Sequence, residues 1–279
     1  MTTLSPTAWN RPWLRIGHGG AAGHAPANTL DSLRIGLELG VDMIEFDVRA
    51  CRDALVLLHD DNLADHGRPG ELASRLTLDE LRALPPGKAG PVASLTEALD
   101  LVRGRALLNI DLKAVGYEPA VLQAMASRGL SGDVLYSTHY PSSLRLIRSL
   151  APDSRTGLSF PEDKSGASNK PYLKPVVTAV LAWLRWTLPW RVLAMISDAQ
   201  ASAVMLYHPL LSRRVVDVVH QAGHQVFTWT IDDSPRLRVV HALGVDGIAS
   251  NYPERFAGLG EEGAAGPSQG STHSSVPSA

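Results

Sequence analysis

Met43-Ile-Glu-Phe-Asp-Val48 is followed shortly by Leu55-Val-Leu-Leu-His59, and these two runs decide the fold. In an extended strand successive side chains point to opposite faces. Glu45 and Asp47 therefore share one face, and Ile44, Phe46 and Val48 share the other. Two extended runs so close together predict a small hairpin-like excursion after the second strand, then a longer loop from Asp60 to Thr77 containing Gly67, Pro69 and Gly70. Working outward, further strands are expected at Leu14–Gly17, Ala106–Leu112, Val134–Thr138, Thr156–Phe160, Val204–Tyr207, Val226–Thr230 and Gly247–Ser250. Helical patterns lie between many of them: Thr29–Leu39 with an Asn28 cap, Thr96–Val102, Pro119–Arg128, Ser142–Leu150, Ser212–Ala222 and Pro235–Leu243. Gly40, Gly129, Gly223 and Gly244 sit where helices should stop. Repeated βα units imply a parallel sheet. The absence of a second compositional zone favours one closed (β/α)8 TIM barrel. In such a barrel Ile44, Phe46 and Val48 face the outer helices, and Glu45 and Asp47 point inward.

The 279 residues, 44% hydrophobic and 19% charged, suffice for one large domain with a sizeable core. A net charge of −2 argues against broad binding to nucleic acid. The single cysteine, Cys51, excludes an internal disulfide framework and a multi-cysteine zinc site. From Gly258 onward the chain is Gly, Ser, Pro and Ala with almost no apolar anchor, so residues 258–279 are expected to be a disordered tail behind a single barrel domain, residues 1–257. No apolar run reaches the roughly 18–20 residues that span a bilayer, and the first residues carry no signal-peptide core. The expectation is a soluble, cytoplasmic protein; its oligomeric state is left open.

His18 directly follows the first strand, in a loop whose glycines and Pro26 exclude regular structure. In a parallel barrel that places it on the active-site face. His59 ends another apolar run. Two histidines at strand ends beside a carboxylate pair suit acid–base catalysis at neutral pH. Glu45 and Asp47, buried side by side, would repel unless a divalent cation or a lysine or arginine compensates them. Asp111 and Lys113 share a strand face. Asp111 either completes a three-carboxylate site for Mg²⁺ or Ca²⁺ or simply pairs with Lys113, which otherwise offers positive charge to an anionic substrate. Trp229, Asp232 and Ser250–Pro253 lie at strand ends as candidate walls of the substrate site. Asn28 and Asp31 read as helix-capping groups.

The order His18-Gly-Gly, Pro26-Ala-Asn28-Thr29, Glu45-x-Asp47, His59-Asp60, Asp111-x-Lys113, Trp229-Thr230 and Gly244-Val-Asp-Gly247 resembles the glycerophosphodiester phosphodiesterase family over about residues 16–253. The resemblance implies a (β/α)8 barrel that cleaves glycerophosphodiesters to glycerol 3-phosphate and an alcohol. It places the metal carboxylates at Glu45, Asp47 and Asp111, where a glutamate is more usual in the third place. It places the two catalytic histidines at His18 and His59 and the phosphate-binding lysine at Lys113. Two positions depart from the family pattern: its arginine is Gly19 here, and its glutamate is Ala27. Their joint loss leaves no unpaired buried charge but removes a bidentate phosphate donor. Arg49, on the same strand face as Glu45 and Asp47, or His24 is a candidate substitute. The missing pair also leaves open a non-catalytic barrel, or a diesterase acting on another phospholipid.

One stretch stands outside these motifs. Lys174 to Arg191 reads KPVVTAVLAWLRWTLPWR. Ala179, Trp183, Trp186 and Trp190 form one helical stripe, with Val177, Val180, Leu181 and Leu184 adjoining and Lys174, Thr178 and Arg185 in a narrow polar strip. The stripe suits a barrel helix buried over a wide arc. The alternative is an exposed apolar lid that grips an acyl chain, as a lysophospholipid substrate would need, or that touches a membrane interface.

Overall fold

The computed structural model describes residues 6–162 and 170–259. Eight parallel strands close into a barrel: β1 (Leu14–Gly17), β2 (Met43–Ala50), β6 (Leu107–Leu112), β7 (Val134–Thr138), β8 (Arg155–Phe160), β9 (Ala203–Tyr207), β10 (Gln225–Trp229) and β11 (Gly247–Ser250). Closure is direct, because β1 pairs in parallel with both β11 and β2. Helices α1 (Leu30–Glu38), α3 (Leu95–Val102), α4 (Glu118–Ala126), α5 (Pro141–Leu150), α6 (Lys174–Ala199), α7 (Arg213–Gln221) and α8 (Ser234–His241) connect the strands. After β11 the described chain makes only a short 3-10 turn, Pro253–Phe256.

The excursion after β2 is present. β3 (Leu55–Leu57) pairs antiparallel with β2, and the following loop contains a two-stranded hairpin of β4 (Asn62–Leu63) and β5 (Arg68–Leu72). It also leads into a short helix, α2 (Leu78–Arg82), started by a capping box between Thr77 and Glu80. Ser94 and Glu97 form the same device at α3. Gly40, Gly129, Gly223 and Gly244 follow their helices at left-handed φ of 73°, 68°, 79° and 77°.

The strand alternation read from the sequence is realised. Ile44, Phe46 and Val48 are fully buried in the layer between sheet and helices, together with Leu33, Leu99 and Val121. The barrel interior holds Leu14, Ile16, Met43, Leu107, Leu135, Met205 and Phe227. Above this apolar plug, toward the carboxyl ends of the strands, the inward positions become polar: Glu45, Asp47, Asn109, Asp111, Ser137 and Ser159, all buried. The register sets Asp47 beside Asp111 and Asp111 beside Ser137.

Three expectations change. Asn28 is not the cap of α1. Thr29 is, its side chain accepting from Ser32 N, while Asn28 takes a left-handed φ of 65° and turns inward. The Trp-rich helix continues to Ala199, well past Arg191. The folded body extends past Ala257, because Leu259 packs against the core; the rest of the expected tail, 260–279, lies outside the described residues, as do 163–169 of the irregular segment before α6.

Candidate active site

The loop from His18 to Thr29 folds over the carboxyl end of β1 because two glycines let it approach its neighbours closely. Gly20 has φ 89°, and a Cβ there would lie 2.5 Å from the Ser32 backbone of α1. Gly20 N donates to the Glu45 carbonyl (3.1 Å), and Ala21 N donates to Ser32 Oγ (2.9 Å). His18 is thereby held at the mouth. Its Nδ1 contacts Asn251 Oδ1 at 2.8 Å. Asn251 Nδ2 donates to Asp232 Oδ2 (2.7 Å), and Asn251 N donates to Asp232 Oδ1 (2.8 Å). A carboxylate only accepts, so the amide orientation follows: Asn251 presents its oxygen to His18, and His18 Nδ1 carries the proton. A neutral His18 then has its lone pair on Nε2, which stands 4.0 Å from Glu45 Oε2.

Glu45 and Asp47 project from β2 into the barrel. Gly19 N donates to Glu45 Oε2 at 2.8 Å. Burial, and then the neighbouring Asp47 charge, push the Glu45 carboxyl well above the usual carboxylate range. Asp47 is buried as well, which opposes its ionisation, but the Lys113 ammonium and the positive charge of His59 outweigh burial and hold it well below the usual range. Asn28 clamps Asp47 at two points: Nδ2 donates to Asp47 Oδ2 (2.8 Å), and Oδ1 accepts from Asp47 N (2.9 Å).

Lys113 stands between two acids, with Nζ 2.9 Å from Asp47 Oδ1 and 2.6 Å from Asp111 Oδ2. Burial works against its charge, but the two carboxylates raise its pKa above the usual lysine value and keep it cationic. Asp111 Oδ1 accepts from Ser137 Oγ (2.6 Å), which accepts from Asn109 Nδ2 (2.7 Å). The ion-pair reading thus describes Asp47 and Asp111. Glu45 has no lysine or arginine salt bridge among the described residues. Nor does any set of three His, Cys, Asp or Glu side chains among them converge as a ligand cage. With Glu45 ionised as well, three carboxylates against one ammonium would leave two negative charges to be compensated in a buried cluster. That charge and an all-oxygen donor set match a hard divalent cation.

His59 follows β3, and its Nδ1–H donates to Asp60 Oδ1 at 2.9 Å. This hydrogen bond, helped by the Asp47 charge, raises the His59 pKa despite partial burial. Arg49 Nε donates to the His59 carbonyl (2.9 Å), so Arg49 braces the His59 loop at the mouth. His24 is elsewhere: its Nε2 donates to Glu254 (2.9 Å) at the rim. Trp229 closes another side, tilted against Tyr207 with centroids 5.3 Å apart and edge-on to His139 at 6.5 Å. The open space below His59 is a cavity of about 190 Å³ lined by Ala27, Asn28, Asp60, His66 and Lys88 among others.

The structure also brings in residues whose role the sequence did not disclose. Asn28 fixes Asp47. Asn251, held by Asp232, orients His18. His139 follows β7 and donates Nδ1–H to the Ser159 carbonyl (2.9 Å), and burial lowers its pKa. Its position in the series of polar strand ends was the available signal.

The sequence profile of the glycerophosphoryl diester phosphodiesterase family matches residues 18–255. The chain belongs to this family. The phosphodiesterase is 26% identical over 265 residues to a glycerophosphodiester phosphodiesterase of Caldanaerobacter subterraneus subsp. tengcongensis, covering 90% of this chain and 98% of that protein. It is 25% identical over 267 residues to one of Bacillus altitudinis, covering 88% and 97%. Among solved structures, its fold matches an Oleispira antarctica phosphodiesterase in complex with the product sn-glycerol-3-phosphate (TM-score 0.69, 23% identity, 86% of this chain and 93% of that one). It likewise matches a glycerophosphodiester phosphodiesterase of Agrobacterium tumefaciens (TM-score 0.67, 22% identity, 92% and 99%). The phosphodiesterase is accordingly a phosphoric diester hydrolase.

Proposed function

We propose that the enzyme converts glycerophosphodiesters to glycerol 3-phosphate and an alcohol by acid–base catalysis between His18 and His59, with one divalent cation, Mg²⁺ or Ca²⁺, at the carboxylate cluster. The observation that carries this reading is the opposite preparation of the two histidines around one buried acidic pair. The Asp232–Asn251 relay leaves the His18 Nε2 lone pair available as a base. Asp60 favours the protonated form of His59, which suits it as the acid.

In the first step His18 Nε2 takes the proton of the substrate glycerol 2-hydroxyl. That oxygen bonds to phosphorus, and the bond from phosphorus to the leaving alcohol breaks as His59 protonates the alcohol. In the second step the now neutral His59 takes a proton from water, whose oxygen bonds to phosphorus. The ring bond to the 2-oxygen breaks, and His18 returns its proton there. Glu45 and Asp47, with Asp111, would hold the cation, which when bound neutralises charge developing on the phosphoryl oxygens. Two of the three Lys113 donors are engaged by Asp47 and Asp111, so one N–H remains to face a phosphate oxygen. Arg49 is the second cation at the mouth, and Trp229 supplies an apolar wall.

The test is turnover of glycerophosphocholine with added Mg²⁺ or Ca²⁺, read as glycerol 3-phosphate. Product formation that EDTA and Glu45→Gln each abolish, at unchanged melting temperature, supports the reading. Activity that survives both would remove the metal from the mechanism. No turnover at all would favour the non-catalytic barrel raised by Gly19 and Ala27. Adding the family arginine alone should not help, because a Cβ at Gly19 would lie 2.7 Å from Ala27 Cβ.

A further inference from the structure

We propose that the amino-terminal half of α6 is an interfacial anchor that docks the enzyme on a bilayer bearing anionic lipids. The helix begins after β8, on the catalytic side, and ends before β9, on the opposite side. Its lower part is the most deeply built into the body: Leu188, Pro189, Val192, Ile196 and Ala199 are buried, whereas every residue from Lys174 to Thr187 is half-buried or exposed. Pro189 and Trp190 line a groove with Pro209 and Ser212, which follow the carboxyl end of β9. Thr178, Leu181 and Trp186 line the same groove, and Leu181 and Leu184 pack against the core, so the half before Leu188 leans on the body along one side and leaves its other side open.

What this half displays is unusual for a free surface. Trp183 and Trp186 are 53% and 68% exposed, with Val176 and Val180 also exposed, and Trp190 (55%) and Leu193 continue the exposed face past Leu188. Trp183 lies nine residues before Val192. At 3.6 residues per turn that is half a turn away from the buried stripe, so the ring faces away from the barrel. Arginines accompany the rings. The Arg191 guanidinium lies 5.8 Å over Trp183, and that of Arg214, from α7, lies 4.4 Å over Trp190. Lys170, Lys174, Arg185 and Arg191 are the charged residues from 170 to 197, and no acid interrupts them.

Apolar, Trp-bearing and exclusively cationic is the composition that binds at the headgroup layer of an anionic membrane. Indole rings settle at that depth, and the long basic side chains reach the phosphates. No helix among the described residues is long and apolar enough to cross a membrane, so the contact is interfacial. A second copy of this chain fits less well, because the same face would bring like charges together. The inference is independent of the reaction proposed for the barrel.

The test uses the full chain in EDTA, so that binding is read without turnover. Wild-type protein should float with vesicles of phosphatidylglycerol mixed with phosphatidylcholine, and bind more weakly to phosphatidylcholine alone or at high salt. The Trp183→Ser/Trp186→Ser double variant should lose about tenfold or more in vesicle affinity, with its melting temperature and its turnover of soluble glycerophosphocholine unchanged. The proposal is overturned if the double variant floats as well as wild type, or if wild type binds neither vesicle. It is also overturned if sedimentation shows a dimer that the double variant abolishes while vesicle binding is absent; that result assigns the face to a second copy.

Discussion

The barrel mouth and the exposed face of α6 break the rule of apolar inside and charged outside in opposite directions. At the mouth, Glu45, Asp47, Asp111 and Lys113 are buried or nearly so. On α6, three tryptophans stand in the open. The mouth is tolerated because each ionised group has partners from the loops and strands around it: Asn28 and Lys113 for Asp47, and Lys113 and Ser137 for Asp111. The α6 half is tolerated because its lower turns are anchored, so helix geometry carries the exposed turns along. Such departures mark function, and the two differ in what a substitution should disturb: chemistry at the mouth, fold in the anchored turns of α6, and neither in its exposed turns.

The largest effect should come from the histidines. His18→Ala and His59→Ala are each expected to lower kcat on the order of 10²–10⁴-fold with far smaller changes in KM. Steady-state kinetics on glycerophosphocholine checks this, and a variant that keeps most of its kcat takes that histidine out of the mechanism. Next is the anchored part of α6. Leu188→Ala should cost about 2–5 kcal/mol in denaturant unfolding, the range for a fully buried leucine. A negligible cost would show that α6 is loosely seated throughout and would erase the contrast between its halves.

Asn251→Ala should lower kcat roughly tenfold while leaving KM near wild type, because His18 keeps its place on the chain but loses the group that fixes its tautomer. An increase in KM without a fall in kcat would instead make Asn251 part of the substrate wall. Asp60→Asn should move the alkaline limb of the kcat/KM profile to lower pH. The sign follows from the hydrogen bond: Asp60 raises the His59 pKa, so removing its charge lets His59 deprotonate earlier as pH rises, and the acid is lost sooner. An unmoved limb would deny His59 the role of acid. The smallest effect belongs to the exposed turns. Trp186→Ser should change unfolding free energy by no more than about 0.5 kcal/mol. A loss like that of Leu188→Ala would mean that the stripe is packing.

Much of the fold was legible because it is periodic. Alternation in Met43–Val48 assigned each side chain to the interior or to the helix layer, and register then brought Asp47 beside Asp111. Asn28 was less legible. Asn28 and Thr29 are both good capping residues, and nothing local says which one caps; Thr29 does, and Asn28 is drawn to Asp47 across a long stretch of chain. α2 escaped notice because five residues are too few to show a period. The Asn251–His18 bond joins residues 233 positions apart, beyond the reach of any spacing argument.

The sequence alone determined the barrel, the inward carboxylates, the histidines at strand ends and the family, because these rest on side-chain periodicity and on residue types at strand ends. The tertiary structure alone decided that Lys113 stands between Asp47 and Asp111, that Asn251 orients His18, and that the tryptophans of α6 stay exposed. A helical stripe reads the same whether or not a partner covers it. Burial and pairing belong to whichever neighbours closure of the barrel brings alongside.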